Sequence, residues 1–163
     1  MRFWPAALAI ALASCGHNGT IAGRVEGEDF SRYHHMGILP FVDAKGQGLL
    51  ITDEIKKAME KRMFDSVDTK ALEQVLSKYR IDRGEGLGAE ALEDIRSHAP
   101  VDSIVIGAMI PDWSAARLVM VETDMGEPIM RAVLKPKNGK FFRDAEEVVD
   151  EAVKVLTDPK YGN

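Results

Sequence analysis

The sequence predicts a single α/β domain, with a mixed β-sheet packed by about four α-helices in the order β-α-β-α-α-β-β-β-α. Three observations predict this class. The chain has 163 residues, close to the usual length of one domain. Hydrophobic residues at 45% and charged residues at 29% are typical of a folded globular protein. Short apolar runs of strand length alternate with longer segments whose apolar residues recur every three or four positions.

The first half of the domain contains two predicted strands and three predicted helices. Residues 36–42 form a short apolar run of strand length. Residues 52–64 carry one apolar stripe at helical spacing, with acidic residues early and basic residues late, as the helix dipole favours. A second short strand is predicted at residues 66–68. Helices follow at residues 69–79 and 89–98, and a proline ends the latter.

The second half contains three predicted strands and the last helix. Residues 102–110 are apolar on both faces, as expected of a central strand covered on both sides. Two apolar runs at residues 116–122 and 129–134 flank a glycine-containing turn and predict a hairpin. The final helix covers residues 145–156, and Asp144 is its predicted N-cap, with a glutamate three positions on.

The N-terminus has the pattern of a bacterial lipoprotein signal. Arg2 precedes an apolar run of eleven residues, too short for a bilayer, which needs ~20. The run ends in Leu12-Ala13-Ser14-Cys15-Gly16, which resembles the lipobox, where the chain is cut before a cysteine that then carries lipid. Cys15 is therefore the predicted lipidation site. The alternative is an ordinary secretory peptide that a cysteine happens to follow.

This signal sets the predicted organisation of the chain. Residues 1–14 are a signal peptide and residues 15–34 a lipidated flexible tether, with four glycines and no sustained period. Residues 35–157 form the α/β domain and residues 158–163 a C-terminal tail. Glycine rather than aspartate after the cysteine indicates the outer membrane, with the domain facing the periplasm.

Composition excludes several classes of function. Lys and Arg number 21 against 26 Asp and Glu, so the net charge of −5 argues against a nucleic-acid partner. The single cysteine excludes an internal disulfide and a cysteine-based zinc site. No cofactor is predicted.

The histidines give a weak indication of a metal site. His34 and His35 form a candidate pair with Asp43 nearby. Adjacent residues of a strand point to opposite faces, so two histidines at the solvent edge of a strand are the favoured alternative. His98 lies at a predicted helix C-terminus, where the dipole explains it without a catalytic role.

No catalytic spacing is present. The glycine-rich residues 84–88 follow a helix, whereas a dinucleotide loop follows a strand, and residues 139–140 lack the serine or threonine of a P-loop. Four aspartates are spread along the chain at turns, a helix start and strand ends, where aspartate is common without catalysis: Asp43, Asp53, Asp102 and Asp112. We therefore expect a protein that is not an enzyme, with no catalytic residues and no metal ligands.

Trp113 is the candidate partner-binding residue. It lies in the turn Pro111-Asp112-Trp113-Ser114, and a tryptophan exposed between strands is typical of a binding hot spot. In the alternative, Trp113 folds back and covers the edge of the sheet.

Several stretches resemble one family of domains. They are Gly37-Ile38-Leu39-Pro40-Phe41, Val67-Asp68 with the segment 72–76, the run at residues 100–107, and the turn Asp124-Met125-Gly126. They resemble the α/β domain of the curli-secretion lipoproteins (CsgG-like), of the lipoprotein activators of penicillin-binding proteins, and of the N-terminus of TolB.

The resemblance implies a non-enzymatic lipoprotein that assembles into secretion channels or contacts partner proteins. The channels have two long membrane-spanning hairpins, whose strands need ~9–11 residues, and the connections at residues 43–50 and 111–115 are too short for them. We therefore expect a non-pore assembly or secretion-accessory factor, whose partner is an envelope protein or a second copy of the chain. The alternatives are a periplasmic module that binds a small ligand or peptidoglycan, and a hydrolase whose site the sequence does not reveal.

Overall fold

The computed structural model describes residues 19–26, 28–62, 65–66, 69–79, 87–99 and 101–158. Several predicted features lie outside the described residues: the signal peptide, the lipidation site Cys15, residues 67–68 of the second predicted strand, most of the glycine-rich loop at residues 84–88, and the tail beyond residue 158.

The described residues contain six strands and four α-helices. The strands are β1 (Ile21–Arg24), β2 (His35–Ile38), β3 (Asp65–Ser66), β4 (Ser103–Met109), β5 (Ala116–Glu122) and β6 (Pro128–Leu134). The helices are α1 (Gly48–Glu60), α2 (Thr69–Leu76), α3 (Ala89–His98) and α4 (Ala145–Thr157).

The six strands form one mixed sheet in the order β1-β6-β5-β4-β2-β3. The pairs on the β1 side, from β1 to β4, are antiparallel, while β2 pairs in parallel with both β4 and β3. Helices α1 and α4 pack together on one face, and α2 and α3 pack together on the other. This arrangement confirms the predicted single α/β domain.

The core consists of two apolar clusters, one on each face of the sheet. Strand β4 contributes side chains to both clusters. Val105 belongs to the cluster under α1 and α4, while Ile104 and Ile106 belong to the cluster under α2 and α3. Successive side chains of a strand point to opposite faces, so a central strand covered on both sides must be apolar throughout. The prediction for this strand is confirmed.

Helix α1 begins at Gly48, four residues before the predicted start. The Asp43 carboxylate accepts a hydrogen bond from the backbone N–H of Gln47 at 2.8 Å, which orders the chain just before the helix. Thr52 stabilises the first turn: its hydroxyl accepts from the N–H of Phe41 at 2.9 Å and donates to the Gly48 carbonyl at 2.8 Å. The acidic residues that suggested a later start therefore lie within the helix rather than in its first turn.

Strand β1 corrects the prediction of a flexible tether over residues 15–34. Ile21 pairs with Val133, and the antiparallel register continues through Arg24 opposite Met130. Farther along, Tyr33 is buried in the core. A four-residue strand interrupted by glycine has no visible alternation, and its stability comes from the edge of β6, which is more than 100 residues away in sequence. The described part of the predicted tether therefore belongs to the domain.

Arg24 attaches this strand to the last helix. Its Nη2 donates to the carbonyl oxygens of Val155 at 2.8 Å and Asp158 at 3.3 Å, at the C-terminal end of α4. A cation there is favoured by the helix dipole and satisfies carbonyl groups that the helix leaves unpaired. The guanidinium also lies 4.2 Å from the ring centroid of Phe30. The first strand is thus held by side chains as well as by its backbone.

Candidate functional site

Three loops meet at one end of the sheet. They are residues 43–47 before α1, residues 111–115 between β4 and β5, and residues 135–144 between β6 and α4. We call this region the three-loop end. Trp113 connects the loops, since its indole N–H bonds Asp43 and its carbonyl oxygen accepts from the N–H of Phe142 at 2.9 Å.

Trp113 is buried, with only 2% of its surface exposed. Its Nε1 donates to Oδ1 of Asp43 at 2.8 Å, and Nζ of Lys45 lies 4.2 Å from the ring centroid. The backbone φ of Trp113 is +64°, a left-handed conformation that reverses the chain within the turn. The expectation of an exposed Trp113 is therefore wrong, and the alternative, that the indole folds back against the sheet, is what the structure contains.

The physical reason is that Asp43 provides a partner for the indole N–H. A tryptophan can bury its large apolar body when its single polar group finds an acceptor. Partial burial acts to raise the pKa of Asp43, but hydrogen bonds from the N–H of Gln47 and from Trp113 outweigh it and hold that pKa below its usual value. The acceptor is therefore a carboxylate. Nothing in the sequence connects these two residues, which are 70 positions apart.

Glu147 fixes the base of the longest loop. Its Oε1 accepts from the N–H of Lys137 at 3.2 Å, and its Oε2 accepts from the N–H of Arg143 at 3.0 Å. The hydrogen bond from the Arg143 backbone holds the pKa of Glu147 below its usual value, against the opposing effect of burial. One buried carboxylate thus holds both ends of this loop.

The N-terminal end of the described chain meets the same loop. The Thr20 hydroxyl oxygen accepts from the N–H of Lys135 at 3.1 Å, and the hydroxyl donates to Oε2 of Glu151 at 2.6 Å. The chain therefore enters the domain beside the three-loop end.

Among the described residues, no helix covers one half of one sheet face. The register places Ile21, Val133, Arg117 and Ala108 side by side on four strands, with Val42 bridging to Ala108. Helices α2 and α3 cover the β2–β4 side of this face, and the remaining row stays accessible: Ile21 is 46% exposed, Val42 39% and Val133 37%. We call Ile21, Val42, Arg117 and Val133 the open half-sheet.

The candidate metal pair does not converge on an ion site. The backbone N–H groups of His34 and His35 donate to the same oxygen of Asp102, at 2.7 and 2.8 Å. Asp102 thus joins β2 to the start of β4. Within the described residues, no group of three or more His, Cys, Asp or Glu side chains is placed to hold a metal.

The other candidate residues are separated from one another. Asp112 accepts from the N–H of Ser114 at 2.9 Å within its own turn, and Asp53 is exposed on α1. His98 lies at the end of α3, with its Nδ1 3.0 Å from the carbonyl oxygen of Asp94. Lys140 is exposed in the loop before α4. Of the four candidate aspartates, Asp43 and Asp112 both lie at the three-loop end, where each accepts a hydrogen bond within or next to its own loop, while Asp53 and Asp102 lie elsewhere in the fold.

A groove of about 680 Å³ separates the outer faces of α1 and α4. Both walls carry mixed charge, with Glu54 and Lys57 on the α1 side and Asp150 and Lys154 on the α4 side. Lys57 is paired with Glu54 on its own helix at 2.6 Å. The lining contains neither histidine nor cysteine.

No family model matches the chain, and no curated protein matches it. Solved structures do resemble it. A variant of PelC from Paraburkholderia phytofirmans, described as a dodecamer, is 13% identical over 85% of this chain and 96% of that chain, with a TM-score of 0.51. At this identity the likeness shows the fold alone.

Two further structures are similar at lower scores. The C-terminal domain of LpoB from Escherichia coli is 12% identical over 67% of this chain and 88% of that chain, with a TM-score of 0.47. The lipoprotein GNA1162 from Neisseria meningitidis is 9% identical over 77% of this chain and 97% of that chain, with a TM-score of 0.44. Because both scores lie below 0.5, the comparison of folds rests on PelC. Among the helices of the described residues, none has the length and apolarity needed to cross a bilayer.

Proposed function

We propose that this protein is a lipid-anchored protein of the bacterial outer membrane whose α/β domain assembles with copies of itself, without catalysis, as a secretion-accessory factor in the periplasm. The observation that carries the proposal is the open half-sheet. Its aliphatic side chains are exposed in one row across the sheet. The row begins at Ile21 on the edge strand β1. Such a surface favours a protein contact. A partner would remove the apolar row from water and could pair with the backbone N–H and C=O groups at the sheet edge.

Two likenesses support the form of this assembly. The PelC structure, whose fold this chain shares, is described as a dodecamer. The resemblance of the strand and turn motifs to the curli-secretion lipoproteins supports a secretion-accessory role. The related activators of penicillin-binding proteins make an envelope enzyme the second candidate partner for the same surface.

Replacing Val133 with glutamate is expected to weaken self-association more than about tenfold, because the contact would then have to desolvate a carboxylate, a cost that pairing with the neighbouring Arg117 does not recover. Native mass spectrometry of the detergent-solubilised protein over a concentration series measures the oligomer distribution. Met125→Glu is the matched control, since Met125 is 74% exposed in the turn at the opposite end of β5. A monomeric wild-type protein at every concentration would contradict self-assembly, and equal effects of both variants would place the contact elsewhere.

Replacing Cys15 with alanine is expected to release the protein from the membrane fraction or to leave its signal peptide uncleaved, because the acceptor thiol is gone. Fractionation of cells followed by immunoblotting measures the distribution. Cys15→Ser is a second variant that keeps the side chain nearly the same size. Intact-mass measurement of the wild-type membrane protein should find acyl chains on Cys15, and an unmodified cysteine there would exclude the anchor.

A further inference from the structure

The loop between β6 and α4 is strongly basic. Residues 135–143 read KPKNGKFFR and contain four basic residues and no acidic residue, in a chain whose net charge is −5. We call residues 135–143 the basic loop. Two adjacent phenylalanines in it have opposite environments, since Phe142 is 3% exposed and Phe141 is 51% exposed. An aromatic side chain held in water among lysines is a combination found on surfaces that meet a membrane.

The basic loop is presented on a fixed base. Glu147 binds the N–H groups of Lys137 and Arg143, and the N–H of Phe142 donates to the Trp113 carbonyl. Between these fixed points the residues at 137–141 are exposed. Gly139, with φ of +99°, forms the turn that brings the tip of the loop outward.

The predicted lipid anchor lies close to this loop. Thr20 bonds the N–H of Lys135 at 3.1 Å, and Cys15 precedes Thr20 by five residues. Five residues span at most about 18 Å when fully extended. Acyl chains on Cys15 would therefore bring the bilayer surface within about 18 Å of the base of the basic loop.

We propose that the basic loop docks on the anionic phospholipid surface of the membrane that holds Cys15. Phe141 inserts its ring at the level of the headgroups, while Lys137 and Lys140 contact lipid phosphates. An acyl anchor and a basic, aromatic surface side by side are two membrane-binding signals that reinforce each other. The inference rests on the lipid anchor of the proposed function, and it fixes which end of the domain faces the bilayer.

The test uses the acylated protein reconstituted in vesicles. Acylation blocks Cys15, the only native cysteine, so an introduced cysteine is the single free thiol. Asn138→Cys places an environment-sensitive fluorophore at the tip of the basic loop. Asp124→Cys places the same probe in the exposed turn at the opposite end of β5. Quenching by a lipid-attached quencher is measured in vesicles of phosphatidylethanolamine with phosphatidylglycerol and in vesicles of phosphatidylcholine alone.

We expect a blue shift and strong quenching for the probe at position 138 in the anionic vesicles, reduced by salt, and neither change at position 124. Each lysine near an anionic surface contributes about fivefold to binding, so Lys137→Gln with Lys140→Gln should lower the docked-to-undocked ratio about 25-fold. Phe141→Ser should reduce the blue shift. Circular dichroism checks that the variants remain folded.

Three results would overturn the proposal. The first is an equal signal from both probes, and the second is a signal at position 138 that does not depend on anionic lipid. The third is energy transfer between differently labelled copies that accounts for the blue shift, which would assign the loop to a contact between protein copies. Intact mass of the same sample shows whether Cys15 is acylated. Failure of docking is thereby distinguished from failure of the anchor.

Discussion

Replacing Trp113 with alanine is expected to lower the free energy of unfolding by about 3–5 kcal/mol, the usual cost of truncating a large buried aromatic side chain. The ring is 2% exposed and belongs to the cluster under α1 and α4. Its loss opens a cavity and leaves the Asp43 carboxylate without the indole donor at 2.8 Å. Urea denaturation followed by circular dichroism measures the change.

Trp113→Phe is the matched variant. It keeps most of the apolar volume and the same left-handed backbone, and it removes the hydrogen bond to Asp43. We expect a loss of about 1.5–3 kcal/mol, the range for a hydrogen bond to a charged group. A loss of less than about 1 kcal/mol in the free energy of unfolding for Trp113→Ala, together with impaired assembly, would contradict the structural role of the indole. It would support the sequence-based hypothesis that Trp113 contacts a partner protein.

Replacing Glu147 with alanine is expected to lower the free energy of unfolding by about 3 kcal/mol, because two backbone N–H groups at the base of the basic loop lose a charged acceptor. The distances from Glu147 to the N–H groups of Lys137 and Arg143 are 3.2 and 3.0 Å. Glu146→Ala is the control, since Glu146 is the exposed neighbour in the same helix turn. Thermal and urea unfolding measure both variants, and equal losses would contradict the role of Glu147.

Acid provides an independent check on Glu147. The hydrogen bond from the Arg143 N–H lowers the pKa of Glu147 in the folded protein. A group whose folded pKa is lowered stabilises the fold above the unfolded value, about 4.3 for glutamate, and this contribution is lost as pH falls through the folded value. The stability difference between wild type and Glu147→Gln should therefore be constant near neutral pH and shrink below about pH 4. A difference that stays constant down to pH 2 would exclude the ionised carboxylate.

The regular part of the fold could be predicted from the sequence because its signals are local. The predicted N-cap of the last helix is confirmed, since Asp144 accepts from the N–H of Glu147 at 3.0 Å. Glu147 itself acts differently from a capping-box partner, because its carboxylate reaches back to Arg143 and across to Lys137. The helical pattern locates this glutamate, but only the path of the preceding loop shows what it binds.

Two predictions, the flexible tether over residues 15–34 and the exposed Trp113, differ from the structure. Both fail for the same physical reason, because each segment is stabilised by residues far away in sequence. Strand β1 forms because β6 offers it an edge, and Trp113 is buried because Asp43 accepts its N–H. Neither partner can be identified from local spacing. The basic loop is visible in the sequence as a cluster of lysines, yet its position beside Thr20 follows only from the fold.

The edge position of β1 also determines how the domain responds to mechanical load. If Cys15 is lipidated as proposed, tension between the anchor and the domain would reach β1 before any other described strand, and among the described strands β1 pairs with β6 alone. Its four residue pairs with β6 can therefore be peeled away while the central strands stay paired. Release of residues 15–24 would lengthen the fully extended connection between Cys15 and the domain from about 18 Å to about 35 Å. With the proposed anchor at Cys15, the pairing of β1 with β6 would set how far the domain can move from the membrane.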